Sequence, residues 1–473
     1  MYRPQAVNIL SKRFVIAGAL AFITLWLFTF RSHVGLDSLG SHLSGLTKGG
    51  QQPVNGWLSQ EQFVAKALEN DIYADHYNGT AVRKLCSEAK WRDDVVMSCD
   101  KLAGGIGNLK VNLLACLRYT IESGAMLIPP VIHLREAFEK MEKSFNWSNG
   151  TDLSYMFDTD HLYHILAEDC PQLRFVDEND KLLNIPPQSE ALLVNPKKLL
   201  PNPIDRHVLR DPSQFRPALD NLIQKTIEDK GLQPTAANPM RLSFDDGISF
   251  SWPVRYDDEA FQKNWGHLAQ LPHHIRELSA RILYKFYRVL GAQQSPDRPS
   301  NGTFLGAHIR TESDAAVEGW TSFAVQAQNV REQLIAQNLS VVYVATGTAS
   351  DANRLKETLA TVQIPSAVEG AEPTTGVQVM QKWDFLDDED MILMDTLTWD
   401  QLALVDLDIM QRASRFVGIW ESSWSWTIAL KRHAWSAMDP YDYATHHLTF
   451  VDEYSILYGP EKAQPIIDPC LWL

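Results

Sequence analysis

The stretch that most clearly indicates the fold is residues 303–314, which read TFLGAHIRTESD. Residues 303–309 form an apolar run with the length and composition of a buried β-strand. Ionisable side chains then occupy alternate positions, at His308, Arg310, Glu312 and Asp314. Ligands of open α/β sheets bind outside the carboxyl ends of the strands. We therefore expect a parallel sheet with a binding site at this edge, in preference to an Arg–Glu pair that only stiffens a loop.

Other parts of the chain alternate between strand and helix patterns. A Gly-rich turn leads into a helix that Gly124 ends, and a short strand over residues 125–128 follows. Further strands are predicted over 340–345 and 415–418, and further helices over 274–290, 351–361, 402–413 and 425–432. Residues 184–250 show little periodicity and receive no assignment. The predicted fold class is α/β, with two Rossmann-like lobes and a cleft between them.

The N-terminal region predicts a membrane anchor. Residues 14–30, FVIAGALAFITLWLFTF, carry no charge, and basic residues precede them at Arg3, Lys12 and Arg13. This charge bias keeps the N-terminus cytoplasmic. A cleavable signal peptide is the less favoured alternative, because the apolar run is long and no small-x-small site follows it. We predict a cytoplasmic tail (1–13), a single transmembrane signal-anchor (14–30), a Gly/Ser-rich stem (31–80), an N-terminal lobe (81–295) and a C-terminal lobe (296–473).

A secretory location agrees with the glycosylation sequons and the cysteines. Asn-x-Ser/Thr triplets begin at Asn78, Asn146, Asn149, Asn301 and Asn338. We expect a single-pass type II protein of the Golgi or endoplasmic reticulum membrane with its folded part in the lumen. An oxidising lumen permits disulfides. Of the five cysteines, Cys86 and Cys99 are the predicted pair, and Cys116 is predicted to be a buried thiol.

The overall charge limits the partners of the protein. The chain has 43 Lys and Arg against 58 Asp and Glu, a formal net charge of −15. Such a chain is a poor binder of nucleic-acid backbones, so no nucleic-acid partner is expected. An anionic ligand would need a local pocket that binds it against the global sign.

Two further motifs are suited to holding a ligand. Residues 104–108, GGIGN, open a helix, where backbone N–H groups favour negative charge. Ordinary turn chemistry explains such glycines equally well, and Asn108 could cap the helix or bind a sugar hydroxyl. Residues 415–425, RFVGIWESSWS, end a strand in small hydroxyl residues at a helix start, which suits a diphosphate. A Ser-capped helix with tryptophans in the core is an equal alternative.

Metal and nucleophile signatures are sparse. The sequence lacks HExxH, paired CxxC and GxSxG motifs. Asp-x-Asp triplets occur at 158–160, 388–390 and 406–408, and could hold a divalent ion on a nucleotide sugar. The acidic run 384–395 is more typical of a solvated loop, and 406–408 lies in a helical pattern. No metal site is predicted.

These motifs, taken in order, resemble those of the GDP-fucose O-fucosyltransferase superfamily. GGIGN is similar to its first-lobe glycine motif, residues 157–161 (FDTDH) to a segment of plant-type members, and GAHIRTESDA to its His-x-Arg motif. VYVAT (342–346) resembles the next strand, and FVGIWESSWSWTIALKR the closing Phe-x-Gly…Ser-Ser motif. The sequence departs from the family pattern at Leu109, Lys110 and Trp420. The matches run from about residue 99 to residue 432.

The resemblance implies a GT-B-type fucosyltransferase that needs no metal or other cofactor and uses GDP-fucose as donor. Arg310 would hold the β-phosphate as the glycosidic bond breaks. A base is not fixed by any motif: Glu312 or Asp314 could serve, or the reaction could ionise first. By the same resemblance, nucleotide, phosphates and sugar would be positioned by Gly105, Asn108, His308, Asp406, Ser422 and Ser423.

Two other functions are weighed against this one. The first is a GT-A, Asp-x-Asp-dependent glycosyltransferase, and the second is a non-catalytic lumenal protein that binds a sugar nucleotide or glycan. The acceptor of the leading hypothesis is a protein or glycan hydroxyl.

Overall fold

The computed structural model describes residues 57–70, 72–135, 145–200, 204–205, 208–244, 248, 250–365, 372–437, 450–459 and 472. The chain divides into two units, Met1–Leu58 and Ser59–Leu473. All helices and strands of the described residues lie in the second unit. The predicted signal-anchor, residues 14–30, lies outside the described residues. Within the described part of the chain, no helix has the length and apolar character needed to cross a membrane.

The elements follow one another as alternating helices and strands. The helices are α1 (Gln60–Asn70), α2 (Thr80–Glu88), α3 (Ile106–Ser123), α4 (Thr159–Asp169), α5 (Pro196–Leu199), α6 (Phe215–Lys230), α7 (Glu259–Trp265), α8 (His273–Leu290), α9 (Ser313–Val317), α10 (Phe323–Gln337), α11 (Ala349–Leu359), α12 (Asp388–Met394), α13 (Trp399–Met410) and α14 (Ser423–His433). The strands are β1 (Val95–Cys99), β2 (Leu102–Ala103), β3 (Met126–Leu127), β4 (Ile132–Arg135), β5 (Phe145–Thr151), β6 (Leu192–Val194), β7 (Ile204–Asp205), β8 (Val208–Leu209), β9 (Met240–Phe244), β10 (Leu305–Ile309), β11 (Val341–Thr346), β12 (Gln363–Ile364), β13 (Thr374–Thr375), β14 (Gln378–Met380), β15 (Arg415–Ile419), β16 (Phe450–Val451) and β17 (Ser455–Tyr458).

Two parallel sheets organise the molecule, which confirms the predicted α/β class. The first has the order β3-β1-β9-β6, and all of its pairs are parallel. The second has the order β14-β11-β10-β15-β17-β16, and only its edge pair β16–β17 is antiparallel. In this second sheet the chain moves outward from β10 in one direction and then returns to the other side through β15. The crevice at such a reversal is where open α/β sheets bind ligands.

The central strands are buried on both faces, as their apolar sequences require. In β10, Leu305, Ala307 and Ile309 point into a core formed with helices α10 and α11. Gly306 and His308 point to the opposite face, where Gly306 lies against Ala413 and Phe416. This alternation sets the direction of each side chain at the carboxyl end of the strand.

Most of the predicted elements are present, with ends shifted by one to three residues. The unassigned stretch 184–250 contains the long helix α6 and strand β9, which pairs with β1 along all five of its residues. The predicted stem, residues 31–80, is too long, because the compact second unit begins at Ser59. Helix α1 lies within it and buries Phe63 against Tyr284 and Tyr287 of α8.

The predicted cysteine pairing is wrong. The structure pairs Cys86 with Cys170 and Cys99 with Cys116, so Cys116 is buried but is not a free thiol. The Cα atoms of the two pairs lie 5.4 and 6.2 Å apart. Packing of α2 against α4, and the turn that returns α3 beside β1, bring these partners together. The spacing of the cysteines in the sequence does not predict either contact.

The acidic run 384–395 also differs from the prediction of a solvated loop. Residues Asp388–Met394 form helix α12, and Asp390 is fully buried. Its carboxylate pairs with Arg281 at 2.8 Å and with Lys285. A buried carboxylate needs such partners, and helix α8 supplies both.

We expect the Cys86–Cys170 bridge to stabilise the fold more than the Cys99–Cys116 bridge. The first closes a loop of 84 residues and the second a loop of 17 residues. The loop-entropy relation gives about 4.6 and about 3.1 kcal/mol, respectively. The measurement is the free energy of urea unfolding of the double variants Cys86→Ser/Cys170→Ser and Cys99→Ser/Cys116→Ser without reductant. A larger loss in the second variant would contradict this account.

Candidate functional site

A cavity of about 890 Å³ opens at the carboxyl ends of β10, β11 and β15 and at the N-termini of α3 and α14. The residues that sequence analysis selected come from four segments spread over more than three hundred positions. The structure brings all of them to the wall of this one cavity: Gly105, Asn108, His308, Arg310, Glu312, Asp406, Ser422 and Ser423. Asp314, the other candidate base, lines it too. The volume lies within the range of small-molecule sites in enzymes.

His308 is a buried, neutral member of the wall. Its Nδ1 atom lies 2.7 Å from the Ser425 hydroxyl, and its ring lies 4.3 Å from that of Trp424. Burial, reinforced by the positive charge of Arg310, lowers the pKa of His308 to about 3. The Ser425 oxygen also accepts a hydrogen bond from the Ile419 N–H, and its hydroxyl can donate to Nδ1. In the tautomer that accepts this bond, Nε2 carries the proton and can donate a hydrogen bond to a ligand oxygen.

Arg310 is held in place from both its backbone and its side chain. The amide of the buried Gln326 accepts from the Arg310 N–H and donates to the Arg310 carbonyl, both at 2.9 Å. The guanidinium donates to Glu312 and, at 2.7 and 2.8 Å, to both oxygens of Asp314. Its side chain is 13% exposed. The Arg–Glu contact predicted as the alternative is therefore present, and Arg310 still faces the cavity.

Two helix N-termini meet at the cavity without side-chain caps. Gly105 is the N-cap of α3 and Ser422 the N-cap of α14, and neither helix has a capping side-chain hydrogen bond. Gly107 permits their approach, since a Cβ there would lie 2.5 Å from the backbone carbonyl of Ser423. Unpaired N–H groups and the positive ends of two helix dipoles therefore converge on one place.

Asn108 does not cap α3, which answers one question left open by the sequence. It is the third residue of the helix, and its side chain has no hydrogen-bond partner among the described residues. It lines the cavity together with Gly104 and Gly105. Its amide is available to a ligand.

Asp406 is buried in the floor of the cavity and is paired there. It accepts a hydrogen bond from the Tyr343 hydroxyl at 2.7 Å and forms an ion pair with Lys382. Burial and the neighbouring Asp406 carboxylate raise the pKa of Tyr343 well above its ordinary value, so the hydroxyl remains a donor. Lys382 is itself buried and lines the cavity.

Four of the six aspartates in the Asp-x-Asp triplets make structural contacts. Asp158 caps α4 and pairs with Arg276 at 3.3 Å, while Asp390 and Asp406 form the ion pairs described above. Asp408 pairs with Arg412 at 2.8 Å. Among the described residues, no cluster of three or more His, Cys, Asp or Glu side chains is arranged to hold a metal ion.

Sequence analysis missed several residues of the wall. Lys382 follows the three-residue strand β14, which is too short to give a periodic signal. Glu421 lies inside a quoted motif but was assigned no role. Its Oε1 atom accepts from the N–H and hydroxyl of Thr321, and its buried Oε2 has no partner among the described residues. Tryptophans supply much of the apolar surface, at positions 320, 383, 399, 420 and 424.

Comparison with known proteins gives similarity of structure only. No family model and no curated protein matches the chain. The crystal structure of POFUT1 in complex with GDP has a TM-score of 0.40 and 14% identity, covering 73% of this chain and 96% of that chain. POFUT1 in complex with GDP-fucose gives 0.40 and 14%, covering 72% and 95%. Fucosyltransferase NodZ from Bradyrhizobium gives 0.36 and 16%, covering 72% and 93%. These TM-scores and sequence identities are too low to transfer a function to this chain.

The state of His308 predicts how stability depends on pH. Its folded pKa of about 3 lies below the ordinary value of 6.5, so the unfolded chain binds the proton first as pH falls. Above pH 6.5, His308 is neutral in both states and does not change the free energy of unfolding. As pH falls from 6.5 towards 3, the unfolded chain takes up the proton, and the free energy of unfolding decreases by up to about 1.4 kcal/mol per pH unit. We expect His308→Gln to make the unfolding free energy less steep between pH 6 and pH 4.

The matched control is His164→Gln, because the His164 side chain is 71% exposed. This variant should keep the wild-type slope in urea titrations at each pH. Equal slopes for His308→Gln and the wild type would show that His308 is not held neutral.

Proposed function

We propose that the protein is a glycosyltransferase that moves fucose from GDP-fucose to a hydroxyl of a protein or glycan, with a GT-B-like arrangement of its two sheets. The observation that supports this most strongly is the convergence of the eight candidate site residues, which come from three separate motifs and from Asp406, on one cavity. In the reaction, the bond between fucose C1 and the β-phosphate oxygen breaks. A bond from the acceptor oxygen to C1 forms, and the acceptor proton is released.

The donor phosphates fit the group of N–H donors at the cavity. Arg310 supplies a permanent positive charge with a planar set of donors. The uncapped N-termini of α3 and α14 supply backbone N–H groups for the remaining phosphate oxygens. These donors are fixed before the reaction and stabilise the charge that develops on the leaving diphosphate. In this proposal no metal or other cofactor is required.

Four polar side chains are suited to the rest of the donor. Neutral His308 presents an N–H group, and Asn108 presents an amide, to sugar or phosphate oxygens. Asp406, with Lys382 beside it, offers both an acceptor and a donor to the nucleotide. We propose that this end of the cavity binds the base.

The carboxylates of the cavity wall are the groups that could take up the proton of the acceptor hydroxyl. Glu312 and Asp314 are both engaged with Arg310 in the structure. Glu421 has one carboxylate oxygen without a partner among the described residues. Because Glu312 and Asp314 are both engaged, we propose a reaction in which the glycosidic bond ionises early, so that the acceptor proton leaves late and needs only a weak acceptor, such as the Glu421 oxygen or water.

A secretory location is part of the proposal. Two disulfides agree with an oxidising compartment, and the sequon residues Asn78, Asn301 and Asn338 are exposed and open to glycosylation. We propose a type II protein of the Golgi or endoplasmic reticulum, anchored through residues 14–30.

The test is GDP release from GDP-fucose by the full chain, with and without EDTA. We expect Arg310→Ala to lower kcat by about 10²- to 10³-fold, because a fixed donor to the leaving group is lost. Arg310→Lys should recover part of the rate, since it keeps the charge but not the planar donors. EDTA and Asp388→Asn should leave the rate unchanged.

A matched control is Arg354→Ala. Arg354 also pairs with a carboxylate, Asp351 at 2.9 Å, but lies outside the cavity wall. Full activity of Arg310→Ala would contradict the proposed role of Arg310. Strict dependence on a metal would favour the Asp-x-Asp-dependent transferase, and GDP binding without turnover would favour the non-catalytic binding protein.

A further inference from the structure

The carboxylate of Glu312 sits where three hydrogen-bond donors converge. The Arg310 guanidinium and the Thr311 N–H donate to its Oε2 atom, the latter at 3.0 Å. The Gly347 N–H donates to its Oε1 atom at 2.9 Å. The side chain of Glu312 is 9% exposed and lies in the cavity wall.

The sheet builds this group of donors. Strands β10 and β11 pair in parallel with His308 opposite Ala345 and Ile309 opposite Thr346. The loops that follow the two strands therefore leave the sheet side by side. Arg310 and Thr311 come from one loop and Gly347 from the other. A Cβ at position 347 would overlap the Glu312 carboxylate, so the carboxylate can hold this place against the Gly347 N–H because residue 347 has no side chain.

The chemistry of these donors suits a phosphoryl group. A guanidinium and two backbone N–H groups around one anionic group of oxygens is a phosphate-binding arrangement. A carboxylate and a phosphoryl group compete for such donors, because both are anions that accept several hydrogen bonds.

The charge of the cavity wall favours a ligand anion that replaces the Glu312 carboxylate over one that binds beside it. Among the described residues that line the cavity, the cations are Arg310 and Lys382, whereas the acids are Glu312, Asp314, Asp400, Asp406 and Glu421. Lys382 is paired with Asp406, so Arg310 is the cation closest to the Glu312 carboxylate. A diphosphate placed beside a retained Glu312 would meet a like charge on the same donors.

We infer that the donors around Glu312 are a phosphoryl-binding subsite and that Glu312 is its internal occupant, which a phosphoryl group of the ligand displaces. The inference rests on the proposed function for the identity of the natural ligand. It adds Thr311 and Gly347 to the donors of the phosphate site and makes Glu312 a competitor of the substrate.

The experiment measures the binding of inorganic pyrophosphate and of GDP to the full chain by titration calorimetry. We expect Glu312→Ala to bind pyrophosphate about tenfold more tightly than the wild type, since the competing anion is gone. Glu312→Gln, which keeps the shape but not the charge, should bind with an affinity between the two. Glu332→Gln removes one exposed charge on α10 outside the cavity and should leave the affinity unchanged.

Weaker binding by both Glu312 variants would overturn the inference and would make Glu312 a residue that orients the donors. Equal affinity of all four proteins would also overturn it. Because Glu312→Gln is close to isosteric, it tests the inference even where Glu312→Ala fails to fold. The expected affinities without any turnover of GDP-fucose would uphold the subsite and refute the proposed transferase.

Discussion

The parallel pairing of β10 with β11 on one side and β15 on the other determines the rest of the site. Its register places the carboxyl ends of the three strands at one edge. His308 and Arg310 leave the first strand there, Gly347 follows the second, and Ser422 follows the third. A shift of one residue in β10 would turn His308 into the apolar core and Ile309 into the cavity. The apolar contacts of Leu305, Ala307 and Ile309 with α10 and α11 therefore also fix the direction of the polar groups.

A second constraint is the cost of burying charged side chains in the cavity wall. Arg310 would be costly to desolvate alone, and the two carboxylates on its guanidinium offset that cost. Gln326 fixes its backbone without adding charge. The same principle explains Lys382 with Asp406, and Asp390 with Lys285 and Arg281. Arg310 and Lys382, the two cations described in the cavity wall, are thus each held by acids. The phosphoryl ligand proposed above would have to share or take over their donors.

A strand or helix could be predicted from the sequence where its own residues carry the pattern that defines it. Strands β10, β11 and β15 are short, largely apolar runs, which is why their sequences predicted buried strands with a candidate site at their ends. The helix α3 was found because Gly124, in a left-handed conformation, ends it. Strand β9, in contrast, is MRLSF, and its burial comes from its place between β1 and β6 and not from its own composition.

The residues that were missed share a dependence on tertiary contacts. The partners of Cys86 and Cys99 were determined by packing between helices and strands, which spacing does not record. Lys382 has no motif of its own, and it becomes a site residue because Asp406 on α13 lies beside it. Glu421 became notable only when Thr321, a hundred residues earlier, was seen to bind one of its two oxygens.

The acidic character of the chain, with a net charge of −15, extends to the wall of the cavity. An acidic wall lowers the affinity for any anion, so the proposed diphosphate would have to be bound by groups whose charge is fixed and directional. Two helix N-termini and the backbone N–H groups of Thr311 and Gly347 meet this need, since they attract anions without adding a titratable cation. Arg310 then contributes a full positive charge beside them, whereas the charge of Lys382 is paired with Asp406. The Glu312 carboxylate satisfies those same donors in the structure. If a phosphoryl group displaces it, as we infer, the measured binding free energy is the difference between the interactions of two anions with one set of donors.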